Sequence, residues 1–505
     1  MGSASPAPSK GGIFPALAEI LDPRAPFLIP LILTLLSRAF FWIKLPLASE
    51  DAYITFRYAR NLAEGHGAVY NLGERVMGYT SPLWTKWNAL GILLTHDPVM
   101  WSRVSSLGAD VLTVLVVGAM LRRAFGNASA WAFTFFFAAW PYFAAMSASG
   151  MEVNTMLALI AVTAAAIASG SPLAGLFMGM VAVMRPEGMV AALVLGVGAK
   201  NRDRLIGLGL IAIGLAGTWL YYGSIIPQSV LAKSALYGTP GPWAGRFWWE
   251  WALPFPMGRW PILAEGNQIF FLAVILAPAA WMGAGAVWAE RRSPVALAAG
   301  ALIAVWLGYA AVGVAYFPWY FLAPLSGVAL LAAVGLPRLV KGRAIPIACA
   351  LYVLGAWSVV PMLYLGRAQH EQVAFRGVAD FLAQNAHPGD AVMLEPIGLV
   401  GYRANVRIID EVGLVSPQVV KRRLQGDGWY TDLVASEKPR WLVVRRAELE
   451  GAEGFAGKGQ PFRSRIERDS VFAGYDYLKE VGEEEGAQAM LVFRRKGAAA
   501  AIQAP

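Results

Sequence analysis

The sequence has little cysteine, little histidine and little charge. Cys349 is the only cysteine among 505 residues, so neither a disulfide framework nor a CxxC metal motif can form. His66, His96, His370 and His387 are far apart along the chain and make no cluster of metal ligands. Only 15% of the residues are charged, against about 25% in a soluble globular chain. These shortages argue against a disulfide-stabilised, zinc-binding or ordinary soluble protein.

Hydrophobic residues, by contrast, make up 57% of the chain, and the mean hydropathy is +0.50. Eleven apolar runs predict membrane-spanning segments, so the expected fold class is an α-helical polytopic membrane protein. Two of the runs are shorter than the ~20 residues that a span needs, which predicts tilted, re-entrant or broken helices there. The runs are 25–47, 100–121, 128–147, 153–169, 172–184, 188–199, 204–222, 268–289, 294–314, 319–337 and 344–365.

The basic residues predict the orientation of these spans. The net charge of +9 comes from arginines and lysines at the ends of apolar runs, with no basic patch interleaved with aromatics, so nucleic acid is not an expected partner. With a cytoplasmic N-terminus, every basic cluster faces the cytoplasm, provided that 82–95 is an interfacial helix. Residues 48–99, 223–267 and everything after 366 are then extracytoplasmic.

The composition divides the chain into four parts. Residues 1–24 are rich in Ser, Pro, Gly and Ala and are predicted to be a disordered cytoplasmic N-terminus. Residues 25–365 form the membrane part, and 499–505 a disordered tail. Between them, 366–498 combine charged residues with short runs of β type, which predicts an extracytoplasmic α/β domain. The four runs are AVMLE (391–395), VRIID (406–410), WLVVRR (441–446) and AMLVFRR (489–495).

Two adjacent carboxylates, Glu50 and Asp51, follow the first apolar run directly. Ser49 before them could provide a hydroxyl N-cap, and acids in the first turn favour a helix, so capping alone accounts for the pattern. A second interpretation is an interfacial anchor, in which aromatic side chains lie at headgroup level and Arg57 binds lipid phosphate. A third is catalytic: a carboxylate at the membrane rim, followed by the helix face of Tyr53, Arg57 and Arg60, could deprotonate a hydroxyl beside an anionic lipid.

A longer stretch supports the catalytic interpretation. SEDAYITFRYARNLAEGHGAVYNLGERVMGYTSPLW (49–84) resembles a signature of bacterial integral-membrane glycosyltransferases of the GT-C fold, the group that includes the mycobacterial terminal arabinofuranosyltransferases. The resemblance continues through SGMEVN (149–154), MRPEG (184–188), YYGSIIPQSVLAKS (221–234) and GYRANVRIIDEVGLVSP (401–417). Such families often have Asp-Asp where this chain has Glu50-Asp51, so the catalytic role is assigned first to Asp51.

The resemblance implies a chemistry. A sugar, with arabinofuranose as the candidate, would pass from a polyprenyl-phosphate donor to a cell-envelope glycan or glycolipid on the extracytoplasmic face. Asp51 would be the general base, with Glu50 beside it. No nucleotide-binding Gly-rich loop is needed, and the GxG at 65–67 lacks the strand–turn–helix setting of one. No cofactor is assigned, although two nearby acids could hold a divalent cation.

Other residues are candidates for the same site, each with a structural alternative. Arg185 interrupts an apolar stretch and is predicted to bind the donor phosphate, against a simple salt bridge with Glu187. Lys233 and Arg57 are further phosphate candidates, against interfacial positions. Glu152, His66 and Tyr53 are candidates for an acceptor contact or second acid, although Glu152 also suits a helix start and His66 a loop.

Two other functions compete with the enzyme. A lipid or sugar transporter needs a polar path, but apart from Arg185 and Glu187 the spans contain almost no charged residues. A non-catalytic membrane anchor for the C-terminal domain leaves the dense polar first loop without a purpose. The sequence therefore favours an enzyme of the bacterial inner membrane, with membrane lipids around it and an extracytoplasmic active site.

Overall fold

The computed structural model describes residues 27–236, 251, 276–314, 317–446, 449, 459–482 and 489–497. The segments predicted to be disordered, 1–24 and 499–505, lie outside these residues, as does most of the predicted outer loop 223–267. Up to residue 385 the described chain is helical, and after it helices alternate with strands.

Prolines begin several of the helices. Pro82, Pro98, Pro141, Pro186 and Pro294 each occupy a first helical turn, where the missing N–H has no intrahelical partner to lose. The helices before the sheet are α1 (Leu28–Lys44), α2 (Glu50–Ala63), α3 (Pro82–Thr95), α4 (Pro98–Phe125), α5 (Asn127–Ala139), α6 (Pro141–Ala148), α7 (Val153–Ser169), α8 (Ala174–Met184), α9 (Pro186–Gly198), α10 (Asn201–Tyr222), α11 (Gln228–Leu236), α12 (Ala277–Ala289), α13 (Pro294–Val312), α14 (Leu322–Leu339) and α15 (Ala344–Asn385). A 3₁₀ turn, Pro318–Phe321, precedes α14.

Several helices make this a multi-pass membrane protein. Four segments of the described chain are long and apolar enough to cross a membrane, and a fifth results if α6 and α7, bent by 110°, count as one span. The predicted total of eleven spans stays a prediction. Part of the difference comes from length, because α8 and α9 have 11 and 13 residues and are separated at Pro186. The four segments are Pro98–Phe125, Asn201–Tyr222, Pro294–Val312 and Pro318–Leu339.

A buried ion pair supports the break between α5 and α6. Pro141 has no N–H to donate to the carbonyl of Phe137, and Arg38 Nη2 donates to that oxygen at 3.2 Å instead. Arg38 Nε also pairs with Asp110 at 2.9 Å, with both side chains fully buried. The predicted near-absence of charge from the spans was therefore wrong at Arg38 and Asp110, whose ionic groups satisfy each other and the freed backbone.

The C-terminal region contains one five-stranded sheet in the order β2-β1-β3-β5-β4. The strand β1 pairs in parallel with β2 and β3, whereas β5 lies antiparallel between β3 and β4. All four runs predicted as strands are strands, and β4 is an addition. The elements are β1 (Ala391–Leu394), α16 (Gly398–Ala404), β2 (Arg407–Asp410), α17 (Pro417–Arg423), α18 (Trp429–Glu437), β3 (Trp441–Arg445), α19 (Arg465–Ala473), β4 (Tyr475–Val481) and β5 (Met490–Arg495).

The two faces of the sheet pack in different cores, as alternation along a strand requires. Val392, Leu394 and Val443 belong to the same continuous core as the membrane helices and α15. Met393 and Leu442 belong to a second core that also contains residues of α18. One face of the sheet is therefore packed against the membrane part.

Side chains of the predicted first outer loop form hydrogen bonds with the backbone of the C-terminal region. Arg57 donates to the carbonyls of Tyr70, Gly401 and Val406 at 2.7–2.8 Å. Asn71 donates to the Ile408 carbonyl and accepts from the Ile408 N–H, both at 2.9 Å, and so extends the hydrogen bonding of β2. Side chains near residue 60 thus position strands near residue 400.

Candidate active site

A cavity lies where the end of α1, the start of α2, the helix α11, the turn at 317–319 and the sheet meet. Its apolar part includes Leu45, Leu47 and Phe375, and its aromatic part includes Trp319. Six charged residues line it: Glu50, Asp51, Lys233, Glu395, Asp410 and Arg445. The cavity therefore combines apolar surface for a lipid with ionic groups for a polar headgroup.

Asp51 is the second residue of α2 and lines this cavity at the helix N-terminus. The backbone of Ser49 has the extended conformation of an N-cap, with φ −64° and ψ 150°, but its side chain makes no capping hydrogen bond. The predicted hydroxyl cap is therefore wrong. Acidic side chains are favoured in the first turn of a helix, and a carboxylate that lines the cavity there is a candidate general base.

Glu50 lines the same cavity and also contacts the α/β region. Its two carboxylate oxygens accept hydrogen bonds from the backbone N–H groups of Gly398 and Leu399, the latter at 2.9 Å. These are the first two amides of α16, so Glu50 acts as an N-cap supplied from a distant part of the chain. This contact ties the start of α2 to the sheet.

Tyr53, two residues after Asp51, also lines the cavity. Its hydroxyl accepts a hydrogen bond from the Ala48 N–H at 3.4 Å, and its ring packs against Phe56 and Tyr402. Burial raises the pKa of Tyr53 to about 12, so its phenol stays neutral at physiological pH. A neutral phenol can donate a hydrogen bond but cannot act as a base there.

Lys233 extends into the cavity from α11. Its Nζ lies 4.8 Å from the centre of the Phe317 ring and 6.0 Å from that of Trp319. The two rings are stacked, with centroids 4.9 Å apart and planes 17° apart. No carboxylate among the described residues forms an ion pair with Lys233. An ammonium group held by aromatic faces suits an incoming anion.

Three charged residues of the cavity come from the sheet and were not among the predicted site residues. Arg445 ends β3 and forms an ion pair with Glu395, which follows β1. Asp410 ends β2 and accepts hydrogen bonds from the N–H groups of Val412 and Val415, at 2.9 and 3.1 Å. Burial outweighs these hydrogen bonds and raises the pKa of Asp410 to about 6. Asp410 lies in the stretch 401–417 that resembles the family signature, and Arg445 lies in the run WLVVRR (441–446). Their spacing along the chain does not show that they meet in one site.

The remaining predicted site residues do not line the cavity. Arg185, between α8 and α9, is buried and forms ion pairs with both Glu152 and Glu187. Arg57 is buried, and its guanidinium group donates to the three backbone carbonyls described above. His66 lies in an exposed turn, with its Nδ1 3.5 Å from the Glu64 carboxylate. The structure therefore brings together Asp51, Glu50, Tyr53 and Lys233 and leaves these other four residues apart.

The described part of the chain contains no group of three or more His, Cys, Asp or Glu side chains arranged to hold a metal ion. The acids of the cavity also have other roles, since Glu50 caps α16 and Glu395 pairs with Arg445.

Comparison with known proteins gives one match in the C-terminal region and others across the chain. Residues 363–493 match a family described as a domain of unknown function, DUF8728. A terminal beta-(1->2)-arabinofuranosyltransferase of Mycobacterium tuberculosis is 27% identical over 46% of this chain. That match spans 43% of the relative, less than half of its length.

Two solved structures show the fold. The crystal structure of ArnT from Cupriavidus metallidurans, bound to undecaprenyl phosphate, is similar over 92% of this chain and 98% of that one, with a TM-score of 0.58 and 13% identity. The oligosaccharyltransferase of Archaeoglobus fulgidus, tethered to an acceptor peptide, is similar over 86% of this chain and 70% of that one, with a TM-score of 0.52 and 11% identity. The protein thus has the fold of the GT-C glycosyltransferases, and in sequence it resembles a mycobacterial arabinofuranosyltransferase.

Proposed function

We propose that the protein is a membrane glycosyltransferase that transfers a sugar from a polyprenyl-phosphate donor to a glycan or glycolipid acceptor on the extracytoplasmic face. The observation that carries the proposal is the cavity in which Asp51, at a helix N-terminus, shares a lining with Lys233 and with apolar side chains. This combination provides a base, a cation and a lipid-compatible surface in one place. The undecaprenyl phosphate bound to the structurally similar ArnT supports the donor class.

The reaction follows from these groups. A hydroxyl oxygen of the acceptor attacks the anomeric carbon of the donor sugar, and the bond from that carbon to the phosphate oxygen breaks. Asp51 takes the hydroxyl proton as the new glycosidic bond forms. The electron pair of the broken bond stays on the polyprenyl phosphate, whose added negative charge Lys233 stabilises. Tyr53, neutral at physiological pH, can donate a hydrogen bond to either substrate.

Arabinofuranose is the donor sugar that the comparisons favour, because the curated relative is an arabinofuranosyltransferase. The proposed acceptor is a glycan or glycolipid of the cell envelope. The proposed location is the bacterial inner membrane, with residues 48–99 and the region after 366 outside the cytoplasm.

The test replaces the base without changing its size. In purified full-length protein supplied with undecaprenyl-phosphoryl-arabinofuranose and a synthetic arabinofuranosyl oligosaccharide, Asp51→Asn should lower the transfer rate by roughly 10²–10⁴. Thermal stability should be unchanged, because Asn is also tolerated at a helix start. The acidic limb of the pH–rate profile should disappear in the variant.

Asp97→Asn is the matched control. Asp97 caps α4 through a hydrogen bond from the Met100 N–H at 2.9 Å, and it does not line the cavity. Its replacement tests the general effect of an acid-to-amide change at a helix start and should leave transfer within twofold of wild type. Turnover of Asp51→Asn close to that of wild type would remove the base role and leave only a helix-start role for this acid.

A further inference from the structure

The carboxyl ends of the three parallel strands supply Glu395, Asp410 and Arg445 to the cavity. In the order β2-β1-β3, the chain moves from β1 to a neighbour on one side and then returns to a neighbour on the other. Open α/β sheets bind ligands outside their carboxyl ends at such a switch point. The ion pair between Glu395 and Arg445 joins the ends of β1 and β3, the two strands that form the switch point.

The protein itself occupies the anion position of this edge. In doubly wound sheets, a phosphate lies on the N-terminus of the helix after the first strand. Here the first two amides of that helix donate to the carboxylate of Glu50. Asp410 adds a second carboxylate at the neighbouring strand. A phosphate at the same place would face both carboxylates, so the edge suits a neutral ligand.

Together these observations select the chemical class of the ligand. A carboxylate beside a guanidinium offers acceptors and donors at adjacent positions, which matches neighbouring hydroxyl groups. The side chains of Glu395 and Arg445 are 30% and 18% exposed, so both are accessible from the cavity while remaining held by each other. Building on the proposed function, we propose that the switch-point pair Glu395–Arg445 forms the subsite for the carbohydrate part of the acceptor.

A second ion pair between the same two strands serves as the control for a purely structural role of Glu395–Arg445. Asp390 precedes β1 and Arg440 precedes β3, and their side chains lie 3.4 Å apart at the opposite edge of the sheet. This second pair also joins β1 to β3, has an arginine of equal exposure and does not line the cavity. Loss of either pair removes a link between the strands, but only the switch-point pair can contact a ligand in the cavity.

The experiment measures binding of two separate probes to the purified full-length protein. The probes are a neutral arabinofuranosyl tetrasaccharide and undecaprenyl phosphate. Glu395→Gln and Arg445→Gln should each raise the Kd for the tetrasaccharide at least tenfold and leave the Kd for undecaprenyl phosphate within twofold. Asp390→Asn and Arg440→Gln should leave both Kd values within twofold.

Each of the other outcomes would overturn either the acceptor subsite or the proposed function. Equal losses in both sets of variants would make the switch-point pair a strand link only. A tenfold loss of undecaprenyl phosphate binding in Arg445→Gln would make the edge a phosphate site instead. Wild-type protein that binds undecaprenyl phosphate but no tetrasaccharide would overturn the subsite and leave the proposed donor standing. Tetrasaccharide binding that depends on Glu395, in a protein without transfer activity, would overturn the proposed function and leave the subsite.

Discussion

The adjacent acids Glu50 and Asp51 line the same cavity, and Glu50 also contacts a second helix. Consecutive residues on a helix differ by about 100° in direction, so neighbours seldom share a partner. Glu50 accepts hydrogen bonds from the first two amides of α16, and Asp51 lines the cavity one residue further along α2. The chemistry proposed for Asp51 thus depends on Glu50 for the position of its helix relative to the sheet.

Asp410 makes the stability of the protein depend on pH. Its pKa is raised from 3.8 to about 6, so the folded protein binds this proton more tightly than the unfolded chain does. The stability from this group is therefore fully present below pH 3.8 and is lost as the pH rises through about 6. At about 1.4 kcal/mol per pKa unit, the resulting difference in the free energy of unfolding is on the order of 3 kcal/mol.

Asp410→Asn removes the titration. In the wild type, ionisation of Asp410 should lower the free energy of unfolding by up to this amount between pH 4 and pH 7. The variant should lack this decrease, as measured by chemical denaturation in detergent. Comparing the two proteins at each pH cancels the other titrating groups. Identical pH dependences in wild type and Asp410→Asn would show that Asp410 is ionised equally easily in the folded and unfolded states.

Arg185 is expected to matter first for folding. Replacing it with Ala leaves Glu152 and Glu187 buried without their cation, a loss of about 3–5 kcal/mol for a broken buried pair. Arg185→Ala should therefore unfold at a lower temperature than wild type. The neutral triple variant Arg185→Met, Glu152→Gln, Glu187→Gln should recover most of that stability.

The transfer rate of the triple variant then tests the phosphate role predicted for Arg185. Recovered stability with recovered transfer would assign the three residues to structure alone. Recovered stability without transfer would show that transfer needs at least one of the three residues, since Glu152 is itself a candidate acceptor contact or second acid. Unchanged thermal stability in Arg185→Ala would contradict the buried ion pairs.

At the scale of elements, local pattern predicted the strands whose side chains are buried. β1, β2, β3 and β5 are short apolar runs between turns, and each was predicted from its β-type composition. β4 was missed because YDYLKEV is mostly exposed at the edge of the sheet and contains three charged residues. Its strand state comes from pairing with β5, a tertiary contact that composition does not show.

The candidate site could be predicted only in part for the same physical reason. The start of α2 carries its acids on one local helix, so helix geometry and the family resemblance together pointed to Asp51. Arg57 lies on that helix too, but its partners are the carbonyls of residues 401 and 406, which no spacing around residue 57 reveals. Arg445 and Glu395 meet only through the parallel pairing of β1 with β3, so their place in the cavity required the fold.

For the molecule as a whole, the alternation of basic loops predicts that the sheet lies outside the cytoplasm. An alkaline phosphatase fused after residue 367 should be active, because this reporter folds only outside the cytoplasm. A fusion after Arg123, which lies in the predicted cytoplasmic loop between the spans 100–121 and 128–147, should be inactive and is the matched control. Activity in the Arg123 fusion and none after residue 367 would invert the orientation and place the cavity on the cytoplasmic side.

The residues that line the cavity are synthesised at widely separated times. Asp51 and Arg445 line the same space but lie roughly 400 residues apart in the chain. At about 5–20 residues per second, synthesis separates their emergence by roughly 20–80 s. For most of that interval α16 has not yet been made, so Glu50 has no amides to cap and the start of α2 has no sheet to pack against. Under the proposed function, a nascent chain would therefore carry the proposed base Asp51 before the proposed acceptor residue Arg445 has been made, and transfer would begin only after the last strands have been synthesised.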